Sequence, residues 1–192
     1  DWFFLTGGNL IICMVVLAIV SPVENISYRI AVSCTGFAPL IAYSHLIYIS
    51  RHADRIANWK VSSLTKKAIL PFITMGSLFC ILVLVPNSIY FDILKFNSDF
   101  FKSLLFLVCL LHLSNLLNLT LRFWHQDSNL FKANWILNLI YLLIIITCLI
   151  LTKNDFSILV FLKSQLVASL FLTFSSLISV KLNSILAKRD HP

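Results

Sequence analysis

The sequence predicts an all-α fold: a polytopic membrane helix bundle with six transmembrane helices. Three observations carry this reading. Of the 192 residues, 59% are hydrophobic and only 12% are charged, against about 25% charged in a soluble domain. Nearly uncharged runs recur at 4–20, 27–50, 69–91, 103–121, 133–152 and 156–180, each close to the roughly 20 apolar residues that a membrane helix needs. The runs are also continuous, as in Leu104-Leu105-Phe106-Leu107-Val108, whereas barrel strands alternate polar and apolar residues. Hydrocarbon offers the backbone no partners, so only helices and closed barrels span it, and the pattern selects helices. Residues 1–181 form the six-helix lobe, and 182–192 are left as a short cytoplasmic tail.

Basic residues set the orientation. Arg51, Arg55, Lys60, Lys66 and Lys67, with Arg122 and Lys132, and Lys181, Lys188 and Arg189, all fall in segments that share one side. Arg29, Lys95, Lys102, Lys153 and Lys163 fall on the other. The positive-inside rule places the richer side, and both ends of the chain, in the cytoplasm. The net charge of +7 is read as attraction to anionic inner-leaflet lipids, with Arg51, Arg122, Lys66 and Lys67 as headgroup contacts. Arg51–Lys67 is expected to lie as an interfacial helix with Trp59 at the headgroups. Nucleic acid is excluded as a partner, because a binding groove interleaves aromatic residues with many more basic ones. The chain opens on Asp1-Trp2-Phe3-Phe4 without Met and is read as a piece of a longer protein.

The elements follow in order. Helix 1 carries Thr6-Gly7-Gly8-Asn9 near its inner start; the glycines permit close packing or a break, and Asn9 either packs against a helix or lines a cavity. Ser21-Pro22 turns the chain on the outer side, since proline disfavours helix at the residue before it. Helix 2 repeats Ser27, Ala31 and Thr35 every four residues, a face that admits a close neighbour. Pro39 should kink it. Arg29, near its outer end, either snorkels to headgroups or faces an anionic substrate.

Helix 3 runs from about Ser62 past Pro71 to Pro86, and Thr74 and Ser77 are placed to bond a neighbouring helix. Helix 4 holds the clearest polar stripe: His112, Asn115, Asn118 and Arg122, spaced 3, 3 and 4 apart on one face. Polar groups are costly in lipid, so this face should meet protein or a water-filled cavity. Asn134, Asn138 and Tyr141 mark helix 5, and Gln165, Ser169, Thr173 and Ser176 mark helix 6. Asn138 and the Gln165–Ser169 face are the expected companions of the helix 4 stripe.

Familiar enzyme chemistry is missing. All eight acidic residues lie at helix ends or in loops, which disfavours a carboxylate-driven pump confined to these helices. The five cysteines and five histidines show no metal-ligand spacing, and no phosphate-binding glycine loop or nucleophile elbow occurs. Neither a cofactor nor a metal is expected, and the chain is read as a non-enzyme.

As a whole, the pattern resembles the second lobe of an O-antigen type polysaccharide flippase, within the multidrug and oligosaccharidyl-lipid exporter superfamily. The resemblance rests on a glycine-containing first helix (Gly7, Gly8, Asn9), a small-residue helix leading into the basic Arg51–Lys67 segment, Leu70-Pro71 at the next helix, and the connection His125–Lys132 before Asn134 and Asn138. It implies one lobe of a two-lobed transporter in the bacterial inner membrane. Such a protein moves a lipid-diphosphate-linked oligosaccharide by alternating access. Its implied partners are that lipid, membrane lipids, an N-terminal lobe outside this chain and glycan-assembly proteins. By the same resemblance, Arg29 is the best cavity cation, with Asn9, His112, Asn115, Asn118 and Asn138 behind it. The alternatives are a noncatalytic membrane subunit, or a fragment of a membrane-embedded glycan polymerase or acyltransferase. An enzyme of that last kind would be expected to carry a large outer loop, and the longest here is 87–102.

Overall fold

Runs rich in Leu, Ile and Phe bury little backbone unless they coil, and they do coil. The computed structural model describes residues 8–51, 61–85, 98–124, 134–152 and 156–189, and among these every regular element is a helix. They are α1 (Gly8–Ile19), α2 (Pro22–Cys34), α3 (Phe37–Arg51), α4 (Val61–Leu84), α5 (Ser98–Trp124), α6 (Asn134–Leu151) and α7 (Ile158–Arg189).

Among the described residues, two helices are long and apolar enough to cross a membrane, over Asp99–Asn118 of α5 and Ile158–Ile178 of α7. Leu70–Leu84 and Asn138–Leu151 are shorter apolar stretches. α7 continues through Leu182 to Arg189, so the described part of the expected tail is helical.

Helices α5 and α7 form the centre. Against α5 pack α2, α3 and α4, and against α7 packs α6, with α1 and α2 touching it. Phe101, Leu104 and Leu105 of α5 are fully buried, as are Ile158, Phe161 and Leu162 of α7, Met75 of α4 and Ile145 of α6. Large apolar side chains also cover the outside, including Leu40, Leu70, Ile81 and Phe174, each more than 60% exposed. Such a surface suits hydrocarbon or a partner protein rather than water.

The second apolar run is two helices, not one kinked helix. The break falls at Thr35–Gly36, one turn before the proline that causes it. Pro39 has no N–H for the carbonyl four residues back, and its ring collides with that carbonyl, which belongs to Thr35. Ala38 N donates to the Thr35 carbonyl instead, at 2.9 Å, and Gly36 N donates to Ser33 O at 3.1 Å. Pro39 then sits in the first turn of α3, where a missing N–H costs little. By contrast Pro71 lies inside α4, which runs through it.

The α1–α2 turn is fastened by a capping box. Glu24 N donates to Ser21 Oγ at 3.3 Å, and Ser21 N donates to Glu24 Oε2 at 3.2 Å. The other carboxylate oxygen accepts from Ile158 N at 3.4 Å, tying the start of α2 to the start of α7. Glu24→Ala removes both ties and should lower stability by about 1 kcal/mol; Glu24→Gln keeps one amide oxygen as acceptor and should recover part of it. Thermal unfolding of the full-length protein in detergent measures this, and an Ala variant with an unchanged midpoint contradicts the assignment.

Candidate functional site

The small-residue row of α2 faces inward as its spacing predicts: Ser27, Ala31 and Thr35 are all fully buried. Thr35 lies at the end of that row, where α2 stops. Its hydroxyl lies 3.0 Å from the Ala31 carbonyl and 3.1 Å from that of Val32, and 3.3 Å from His112 Nε2 on α5. With the single hydroxyl proton turned to its own helix, the ring N–H of His112 is the donor to Thr35; that tautomer is assigned from the network. The imidazole also stacks beside Phe79 of α4, with ring centroids 6.2 Å apart. Phe79 in turn lies 5.4 Å from Phe37, the first residue of α3.

The rest of the stripe on α5 turns to α7. Ser169, on α7 and fully buried, is the hub. Ser114 Oγ meets its hydroxyl at 2.8 Å, and Asn118 Nδ2 donates to its hydroxyl at 2.9 Å and its carbonyl at 3.1 Å. Ser169 Oγ donates to Asn115 Oδ1 at 3.2 Å. One turn on, Thr173 Oγ1 donates to Asn118 Oδ1 at 2.8 Å and also approaches the Ser169 carbonyl at 2.9 Å. The protons balance: Ser114 donates to Ser169, Ser169 donates to Asn115, and Asn118 uses one amide hydrogen for each of its two contacts. Asn118 is thereby a structural residue that joins two helices. Asn115 is exposed although its neighbours Ser114 and Leu116 are buried.

Arg29 stands elsewhere. It is exposed, two residues from Ser27 and Ala31 and therefore on the far side of α2 from the row that meets α5. Arg29 Nε donates to Asn25 Oδ1 at 2.8 Å, and Asn25 Nδ2 donates to Leu17 O at 2.9 Å, which fixes the pair to α1. The surrounding cleft, about 400 Å³, is lined by Leu17, Val20, Pro22, Asn25, Ile26 and Arg29. A guanidinium carries five N–H donors; the bond to Asn25 engages one. Planar recognition of phosphate uses two at once.

The candidate residues thus occupy three places rather than one cavity: Arg29 in the α1–α2 cleft, His112 at the helix break, and Asn115 and Asn118 in the α5–α7 seam. Asn138 is fully buried on α6, but the bonds joining Asn115 and Asn118 to α7 do not include it. Asn9, Arg51, Lys66, Lys67 and Arg122 lie on helices, and their side chains are outside the described residues, as are residues 52–60 of the expected interfacial helix. Thr74 does not reach a neighbour; its hydroxyl donates to Leu70 O on its own helix at 2.9 Å. The α7 stripe is buried as expected, at Gln165, Ser169, Thr173 and Ser176.

Two residues escaped the sequence pattern. Ser114 precedes Asn118 by one turn, a signal that was available but hidden by the bulkier His112. Glu24 counted only among the acidic residues at helix ends or in loops, and nothing in its spacing announces the bond to Ile158. Among the described residues, no group of three or more His, Cys, Asp or Glu is placed to hold a metal ion. No family model, curated protein or solved structure matches the chain.

Proposed function

We propose that this chain is one six-crossing lobe of a larger transporter in the bacterial inner membrane. Both ends of the lobe lie in the cytoplasm. The full-length protein carries an undecaprenyl-diphosphate-linked glycan unit from the inner to the outer leaflet by alternating access. The observation that carries the reading is Arg29: an exposed guanidinium on α2, about two turns past its start and steadied by Asn25. A diphosphate concentrates negative charge, and an arginine fork matches its oxygens. The seam between α5 and α7 gives the lobe a stiff spine against which α2 and α3 are packed. Depletion of the full-length protein should leave the lipid-linked glycan on the inner leaflet and strip it from the cell surface. Normal surface display after depletion overturns the reading.

A second reading has its own support. The polar stripe on α5 is largely spent on helix–helix bonds, with Asn118 satisfied by Ser169 and Thr173. A noncatalytic membrane subunit needs that kind of stripe for packing and nothing more. Under this reading, depletion impairs a partner enzyme without trapping any lipid-linked intermediate on the inner leaflet.

A further inference from the structure

The break at Thr35–Gly36 separates two arms that share α5 as their main neighbour but differ in the second, α7 for α2 and α4 for α3. The α2 arm packs on α5 and touches α7, where Glu24 also accepts from Ile158 N. The α3 arm packs on α5 and α4, with Phe37 against Phe79. Between the arms, Thr35 N donates to Ala31 O at 3.1 Å, Gly36 N to Ser33 O at 3.1 Å and Ala38 N to Thr35 O at 2.9 Å. These bonds are local, so a swing of one arm against the other need not orphan the groups they satisfy. Gly36 is exposed, and a Cβ there would meet Ser33 O at 3.2 Å, so the position favours a residue without a side chain.

His112 touches the α2 arm directly and reaches the α3 arm through Phe79. It bonds Thr35, which closes α2, and it stacks on Phe79, which carries Phe37 at the start of α3. The 3.3 Å bond is long for a hydrogen bond. Because the ring N–H is the donor, the bond is available to both the neutral and the protonated imidazole, and a change of pH does not by itself release it.

We propose that Thr35–Gly36 is a working hinge, made by Pro39 and latched by His112, about which α3 pivots against α2. Hinges are commonly a few residues at element ends that absorb a change of backbone angles while the flanking elements stay rigid. The latched form is the one described here. In the released form the Thr35–His112 bond and the Phe37–Phe79 contact are lost, and the backbone bonds across the break can re-form but open more often. The hinge does not rest on the transport reading, since a packing subunit with the same break would pivot in the same way.

The test measures distance, so its failure is separable from a failure of transport. Spin labels are placed at Val23→Cys on α2 and Tyr43→Cys on α3, both exposed, in the full-length protein with its native cysteines replaced and held in lipid nanodiscs. The expected result is two distance populations. Pro39→Ala, which restores an N–H for the Thr35 carbonyl, should collapse them to one. His112→Ala should shift their ratio at least threefold towards the released form. A single population shared by all three proteins overturns the hinge. If replacing the cysteines prevents folding, hydrogen exchange in the native-cysteine protein decides. Amides 35–38 should exchange at least threefold faster in His112→Ala and slower in Pro39→Ala, and unchanged rates in both variants overturn it.

Discussion

Ser169→Leu should prevent the helix bundle from assembling in a stable form. Ser169 is fully buried, and its hydroxyl joins Ser114, Asn115 and Asn118. Hydrogen bonds between membrane helices are worth about 0.6 kcal/mol each on average, so losing three costs about 2 kcal/mol. Forcing a larger side chain into packed space costs about 1–3 kcal/mol more. The sum, about 4 kcal/mol, is a large part of the stability of a typical domain. Ser169→Ala loses the bonds without the crowding and should cost about 2 kcal/mol. Thermal unfolding of the full-length protein, read by size-exclusion profile after heating, separates the two. A Ser169→Leu protein with the wild-type midpoint would mean that the seam does not hold α5 to α7.

Arg29→Ala should reduce surface glycan display at least tenfold while leaving protein abundance near normal. Both halves of this expectation come from its position. The side chain is exposed and is held by a bond to Asn25, so its loss falls in the class of surface changes worth within about 0.5 kcal/mol. Its functional weight under the transport reading comes from the phosphate it would grip. Arg29→Lys keeps the charge but loses the planar fork, and intermediate display is expected. Wild-type display in Arg29→Ala would remove Arg29 from the mechanism.

The all-helical character was legible because apolar length leaves few other solutions. Ser27, Ala31 and Thr35 were legible as a buried row because four-residue spacing defines a face. The spacing of a stripe does not say which neighbour it meets. His112 and Asn118 share a stripe, yet one turns to Thr35 of α2 and the other to Ser169 of α7. Hydroxyl residues mislead for a related reason. Ser33 donates to Arg29 O, Thr74 to Leu70 O, Thr152 to Cys148 O and Ser164 to Val160 O. A serine or threonine in an apolar helix can satisfy itself on its own preceding turn, so its presence alone does not announce a contact between helices. The helix break was legible only in part, because the proline marks the cause and the carbonyl one turn earlier takes the effect. Arg29 was legible as an unusual charge; its orientation away from α5 depends on which side of α2 the small residues occupy.

The most direct measurement of the central claim is translocation by the purified full-length protein in sealed vesicles. Undecaprenyl-diphosphate-linked oligosaccharide is loaded in the outer leaflet, and its protection from an impermeant glycosidase is followed with and without proton or sodium gradients. The account predicts that protection grows with time in vesicles holding the wild-type protein and falls towards the protein-free rate with Arg29→Ala. No protection above protein-free vesicles, under every gradient applied, would contradict it.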